Sequence, residues 1–268
     1  MRKSLSIVIP AFNEERHIGA CLEAIAAQTV KPDEVIVVDN NSTDKTTDII
    51  RKFPFVTVLH EKEQGIVYAR NRGFDAVKSD IIGRIDADTI LPPDWVERVE
   101  RFYDNASHFE RHAYTGGATC YNIRLPRTNA WFQAQIAYRF NRLLLGHYIL
   151  FGSNMAIPKK MWQAVHGDVC IRTDIHEDLD LSIHLHRLGY LINYHAADLV
   201  GIHFRRVRAN HRELMGNLML WPKTLQTHDN RRWVFGWLGA VFLYYATYVL
   251  VWLEYIARAF GRKPLPEY

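Results

Sequence analysis

The sequence predicts an α/β fold built on a mostly parallel sheet with flanking helices. Three observations carry that reading. Apolar runs of strand length recur at Leu5–Ile9, Glu34–Asp39, Val56–Leu59 and Ile81–Ile85. Segments with helical periodicity separate them, which is the pattern of βαβ units. Polar residues follow the runs at once: Asn13 and Glu14, then Asp39, Asn40 and Asn41, then Asp86 and Asp88. Ligands of such sheets bind at the carboxyl ends of the strands.

The elements follow in order. Leu5–Ile9 is five apolar residues stopped by Pro10. That is a buried strand, too short for the core of a signal peptide, so none is expected. Ile18, Cys21, Leu22 and Ile25 fall on one helical face. Glu34–Asp39 (EVIVVD) is the second strand, and Ser42 or Thr43 can cap a helix from about Asp44 to Phe53. Val56–Leu59 is a third strand, Ile66–Val77 a third helix and Ile81–Ile85 a fourth strand. The second half is less regular. Thr115–Cys120 and Asn154–Ile157 read as strands, with a helical stretch over Trp131–Leu145 between them. Glu177–Leu188 reads as a helix with Leu181, His184, Leu185 and Leu188 on one face. Leu191–Tyr194 and Leu199–His203 read as two short strands.

Composition excludes several classes. The 268 residues are 48% hydrophobic and 23% charged, with a mean hydropathy of −0.18. A disordered chain would be less apolar and a multi-span membrane protein more so. Cys21, Cys120 and Cys170 lie far apart without a CxxC, which excludes a zinc ribbon and a disulfide framework. The net charge of +4 hides a split. Residues 1–200 carry a net −2 and residues 201–268 a net +6.

The segment IGRIDADTILPPDW sets Asp86 and Asp88 around one alanine after a strand. Residues i and i+2 of an extended chain point the same way. Two such carboxylates repel unless a cation sits between them, and hard oxygen ligands suit Mg²⁺ or Mn²⁺. An isolated Asp-x-Asp is also common as a solvated turn. Its place at a strand end favours the metal.

Several stretches together resemble glycosyltransferase family 2. They are SIVIPAFNEE (Ser6–Glu15), VIVVDNNSTDKT (Val35–Thr46), ARNRGF (Ala69–Phe74), the DAD at Asp86–Asp88, FGSNMAIPKKMW (Phe151–Trp162) and HEDLDLSIHLHRLGY (His176–Tyr190). The resemblance covers about residues 4–205 and implies the Rossmann-like GT-A fold and an inverting transfer. It places the donor nucleotide against Pro10, Ala11, Phe12, Glu14 and Asp39, with Arg70 near the diphosphate and Asp86 near the ribose or sugar. It makes Asp88, with Asp86 and His203, the ligands of Mn²⁺ or Mg²⁺. It makes Asp178 the base that deprotonates the acceptor hydroxyl, with Glu177 second, and lines the sugar and acceptor pocket with Gly152, Ser153 and Asn154. UDP is the common donor carrier of the family, and GDP and dTDP also occur. Processive members carry a QxxRW segment. None is present, so the sequence resembles a single-transfer enzyme.

The tail is different in kind. Trp233–Leu253 holds 21 residues without a charge, eight of them aromatic. As a helix it is about 31 Å long, near the thickness of a hydrocarbon core. Trp233, Trp237 and Trp252 suit membrane interfaces, whereas Tyr244, Tyr245 and Tyr248 at mid-span suggest packing against protein or a shallow position. Upstream, Phe204, Val207, Leu214, Leu218 and Trp221 form an apolar stripe among Arg205, Arg206, Arg208 and Arg212. A basic amphipathic helix before an apolar one reads as membrane-surface association. The other reading is a helical hairpin on the catalytic domain or a homodimer interface.

The expected organisation is therefore a catalytic domain over residues 1–203, with a nucleotide half (1–90) and an acceptor half (91–203), and a membrane-associating helical extension over 204–268. The expected protein sits at the cytoplasmic face of a membrane through residues 204–260 and glycosylates a lipid or lipid-linked glycan. A polyprenyl-phosphate sugar synthase is one alternative, although DAD is there usually followed by a segment unlike TILPPDW. A non-catalytic nucleotide-sugar-binding relative is another, and retention of Asp39, Asp86, Asp88 and Asp178 argues against it. Nucleic acid is not an expected partner, because the basic residues adjoin an apolar run and not an aromatic RNA-reading sheet.

Overall fold

A computed structural model describes residues 2–123, 125, 128, 130–131, 138–203, 211–228, 231 and 233–260, without the side chains of 211–213, 247, 250–251, 254 and 257–258. The strands are β1 (Leu5–Ala11), β2 (Glu34–Asp39), β3 (Val56–His60), β4 (Ile81–Arg84), β5 (His112–Cys120), β6 (Met155–Pro158) and β7 (Leu191–Ile202). They form one seven-stranded sheet in the order β3-β2-β1-β4-β6-β5-β7. The helices are α1 (Ile18–Ala26), α2 (Thr46–Ile50), α3 (Ile66–Ala76), α4 (Trp95–Asn105), α5 (Asn141–Leu145), α6 (Lys159–Val165), α7 (Glu177–Arg187), α8 (His211–Thr227) and α9 (Trp233–Ala259).

The strand sequences explain the layering. All seven residues of β1 are buried, as expected of a parallel strand covered on both faces. Leu5, Ile7, Ile9, Val35 and Val37 face one core with α1 and α4. The alternate Val8, Ile36, Val38 and Ile82 face a second core with α3, α6 and α7. Gly73 lets α3 lie close to the sheet, because a Cβ there would stand 2.3 Å from Val8 Cγ1.

The structure refines the expected elements. The sheet is mixed, since β6 runs antiparallel to both β4 and β5. The two short strands after α7 are one strand, β7, paired parallel with β5 and absorbing a register shift at Gly116/Gly117. Helix α2 is shorter than expected. Ser42 does not cap it, because its hydroxyl accepts from the Asn13 N–H at 3.0 Å. Asp44 accepts from the Thr46 N–H at 2.9 Å instead. Of the helical stretch expected over Trp131–Leu145, residues 132–137 lie outside the described ones, and Asn141–Leu145 is helical.

Helices α8 and α9 form a hairpin whose seam is Leu214, Leu218 and Ala240 with Leu243, Tyr244 and Tyr248. Two of the three mid-span tyrosines thus pack on protein, while Tyr245 is exposed. Among the described residues no helix is long and apolar enough to cross a membrane. The tyrosines, Gly236, Gly239 and Thr247 dilute the apolar run of α9. Phe204, Arg205, Arg206, Val207 and Arg208, and the side chain of Arg212, lie outside the described residues. Helix α8 also packs on α7. Leu225 joins Leu179 and Ile183 of α7, and the Thr224 hydroxyl accepts from the His176 N–H at 2.8 Å.

Candidate active site

The parallel strands bring their polar ends to one edge. Ala11, last in β1, is in register with Asp39, last in β2. The two following loops hold each other. Asn13, at φ 54°, accepts from the Thr43 N–H at 2.8 Å, and the Glu14 N–H donates to Thr46 Oγ1 at 2.7 Å. Asp39 is buried; it accepts from the Ser42 N–H at 3.3 Å, and His60 Nδ1 lies 3.1 Å from its other oxygen. Asn40 fixes the loop before α3, donating to the Glu61 and Glu63 carbonyls and accepting from the Gly65 N–H. Between these loops lies a cleft of about 360 Å³. Pro10, Ala11, Phe12, Glu14 and Asp86 of the expected donor site line it and Asp39 does not, while Asn40 and Gln64 are added by the fold.

Beside the cleft is a buried charge cluster centred on Arg84, which is 1% exposed. Its Nη2 donates to Asp86 Oδ1 at 2.8 Å and lies 3.3 Å from Glu177 Oε1. Its Nη1 donates to Asp178 Oδ1. The other Asp178 oxygen accepts from the Gly152 N–H at 2.8 Å, and the Ser153 hydroxyl donates to Asp86 Oδ2. Gly152 is required here, since a Cβ would stand 1.7 Å from Arg84 Nη1. Asp178, Glu177, Asp86, Gly152 and Ser153 are therefore held together around Arg84.

The electrostatics separate the two acids of α7. Burial pushes the Asp178 carboxyl up to about 6, against the pull of Arg84 and with help from the Glu177 charge. Burial also acts on Glu177, but Arg84, His176 and Arg70 outweigh it and hold that carboxyl below its usual range. A carboxylate that ionises just below neutral pH beside one that stays ionised is an arrangement suited to proton abstraction.

Three expected residues are placed differently. The buried Arg70 guanidinium bonds Asn71 Oδ1 at 2.9 and 3.0 Å and the Glu177 carbonyl at 3.0 Å, and lies over Trp162, not in the cleft. Asn154 is fully buried and spends its side chain on the fold. It donates to the Gly117 and Asp198 carbonyls and accepts from Trp95 Nε1, all within 2.9 Å. Asp86 spends one oxygen on Arg84 and the other on Ser153. Asp86, Asp88 and His203 are not among the groups of three ligand atoms that converge within 4.8 Å. Asp88 and His203 share Tyr121 as a neighbour: its hydroxyl donates to the Asp88 carbonyl at 3.4 Å, and its ring centroid is 5.8 Å from that of His203. His203 also lies against His17, with Nε2 at 3.1 Å from Asn122 Nδ2. The segment after β4 meets the end of β7 at the Ile90–Gly201 bridge, and a carboxylate with an imidazole is a donor set that can take a divalent cation such as Mn²⁺.

Sequence reasoning missed Arg84. Its signal was present: an arginine that closes a buried apolar run, between Gly83 and Ile85, is drawn into the core and then needs acids.

Comparison with known proteins gives the following. The family model described as Glycosyl transferase family 2 matches residues 6–162. The chain is similar to the putative glycosyltransferase EpsH of Bacillus subtilis, 31% identical over 102 residues, covering 37% of this chain and 30% of that protein. It is similar to glycosyltransferase AglE of Haloferax volcanii, 35% identical over 101 residues, covering 35% and 33%. The matched stretch thus spans about a third of the length of these relatives. Among solved structures, the mannosyltransferase PcManGT of Pyrobaculum calidifontis, in complex with GDP-Man and Mn²⁺, superposes with a TM-score of 0.65 at 18% identity, over 85% of this chain and 65% of that one. TarS of S. aureus in complex with UDP-GlcNAc gives 0.58 at 16% identity, over 85% and 73%. These likenesses establish the GT-A-like fold.

Proposed function

The chain belongs to glycosyltransferase family 2, and on that premise we propose that it moves one sugar from a nucleoside-diphosphate sugar to an acceptor hydroxyl, inverting the anomeric carbon. The observation that carries this is Asp178: a buried carboxylate, fixed by Arg84 and the Gly152 N–H, beside the cleft that Asp86 lines. In this reading Asp178 takes the acceptor proton as the hydroxyl attacks in line, opposite the departing nucleoside diphosphate. Glu177 and Arg84 hold the base in place. Ser153 and Arg84 orient Asp86 toward the sugar or ribose. Asp39 accepts from the base or ribose. Asp88 and His203 would hold a divalent cation, Mn²⁺ or Mg²⁺, whose chemistry is charge neutralisation on the leaving diphosphate.

The donor carrier is proposed as UDP, with GDP second; structural neighbours hold UDP-GlcNAc and GDP-Man respectively. The acceptor is proposed as a lipid or lipid-linked glycan at a membrane surface on the cytoplasmic face. An apolar groove of about 400 Å³ supports this, running between α5, α8 and α9 along Phe140, Leu144, Trp221, Phe235, Leu238 and Phe242. Leu144 in turn packs with Leu179, the residue after the proposed base. A polyprenyl phosphate is one acceptor the groove would take, and the product distinguishes that case.

The deciding experiment is thermal stabilisation by UDP, GDP and dTDP, each with and without Mn²⁺. A ligand at 100 times its Kd adds about 2.7 kcal/mol. The expected result is a metal-dependent shift with one nucleotide. No shift with any of them overturns the enzyme reading.

A further inference from the structure

A second cluster of ligand-type side chains gathers around α7, with no member in common with the Arg84 cluster. Cys170, Asp180, His184 and His228 each direct one ligand atom to a common point, with all four atoms within 4.8 Å of one another. They come from three separate segments. Cys170 is in the loop before α7, Asp180 and His184 stand one turn apart on α7, and His228 follows α8. Asp180 is 0% exposed. It accepts from the Cys170 N–H at 3.0 Å, and His228 Nε2 lies 2.8 Å from its Oδ1. His184 Nε2 is buried and makes no hydrogen bond; it stands 3.6 Å from the same oxygen.

We propose that Cys170, Asp180, His184 and His228 form a structural site for Zn²⁺. The donor set is one thiolate, one carboxylate and two imidazoles, which is four ligands for a tetrahedral ion. A thiolate among them selects zinc over Mg²⁺ and Mn²⁺. Thiolate and carboxylate together balance the ion's charge. The i, i+4 spacing of Asp180 and His184 puts two ligands on one helix face. The unbonded His184 nitrogen is the group that a purely hydrogen-bonded cluster leaves unexplained.

Binding is balanced as follows. The Cys170 thiol gives its proton to solvent, and sulfur, Asp180 oxygen and two imidazole nitrogens bond the ion. His228 binds through Nε2, so that nitrogen gives up the proton it shares with Asp180 Oδ1 and Nδ1 takes one up. Arg187 Nη1, which lies 3.1 Å from that Nδ1, then turns aside, while Arg187 Nη2 keeps its 2.9 Å bond to the His228 carbonyl. The ion ties the Cys170 loop, the base helix and the end of α8 into one unit. Its place is outside the donor cleft and its ligands are not shared with it.

The test uses untagged full-length protein purified without chelator. One zinc per chain is expected by elemental analysis. After chelation, Co²⁺ alone should restore one equivalent, with a thiolate-to-cobalt charge-transfer band and tetrahedral d–d bands. Cys170→Ser should lose the charge-transfer band, and His184→Ala should lower the stoichiometry. Asp88→Ala should leave both unchanged, which separates this site from the proposed donor site. Wild-type protein that carries no zinc and shows no charge-transfer band with Co²⁺ overturns the proposal. So does a band that persists in Cys170→Ser. Neither result depends on sugar transfer.

Discussion

Nη1 of Arg84 donates to Oδ1 of Asp178 across 94 residues of chain. The same guanidinium bonds Asp86 and approaches Glu177, so one buried cation serves three acids from two elements. Removing one partner of such a buried cluster leaves uncompensated charge, which typically costs about 3–5 kcal/mol. Arg84→Met is expected to lose stability of that order in urea unfolding. A loss under about 1 kcal/mol would show that the cluster is solvated in solution.

The pH profile should report Asp178. A base works only when ionised, and burial raises this carboxyl to about 6. The rate constant kcat/KM should therefore fall as pH drops below about 6, tenfold per unit, and level off above it. Asp178→Asn should lose about 10²–10⁴-fold in turnover and keep nucleotide affinity. Wild-type turnover in that variant would remove Asp178 from the reaction.

Two glycines make a matched pair. A Cβ at Gly152 meets Arg84 Nη1 at 1.7 Å and Asp178 Oδ2 at 2.7 Å, whereas one at Gly167 meets nothing within 4 Å. Gly152→Ala should cost about 1–3 kcal/mol by overpacking and lower turnover with it. Gly167→Ala should stay within about 0.5 kcal/mol of wild type. Differential scanning calorimetry on both variants checks the contrast.

Asp39 is expected to hold the nucleotide through a charged hydrogen bond, worth about 1.5–3 kcal/mol. Asp39→Ala should weaken UDP or GDP binding about 10- to 100-fold by calorimetric titration. His60, whose Nδ1 lies 3.1 Å from Asp39, is largely exposed. His60→Ala should change affinity much less. Equal losses in the two variants would mean that the nucleotide contacts His60 directly.

The exposed aromatic row of α9 offers a membrane test. Phe235 and Trp252 are 55% and 61% exposed, and Trp237, Leu238 and Phe242 lie between them in sequence. Phe235→Glu combined with Phe242→Glu should reduce co-sedimentation with anionic vesicles at least tenfold and leave thermal stability nearly unchanged. Undiminished sedimentation would point to another anchor.

The parallel half of the fold is legible in the sequence because physics writes it locally. β1 and β2 are continuous apolar runs, and their polar followers Asn13 and Asp39 mark the binding edge. The second half is less legible. The run at Met155–Pro158 carries no mark of direction, so its antiparallel pairing with β4 is not readable from composition. Long-range partners are hidden for the same reason. Arg84 is visible as a buried arginine, but nothing local names Asp178. Asn154 sits in a motif beside Ser153, yet one side chain serves Asp86 and the other ties Trp95 to β5 and β7.

The bonds from α8 to the base helix bear on how such enzymes could exchange parts. His228 meets Asp180, and Thr224 receives the His176 N–H. A recombinant joined at residue 203 would give both groups a foreign partner and would unsettle α7. A recombinant joined beyond His228 would carry its own support. Helix α8 is thus inherited together with α7, whereas α9 joins the rest of the fold chiefly through α8.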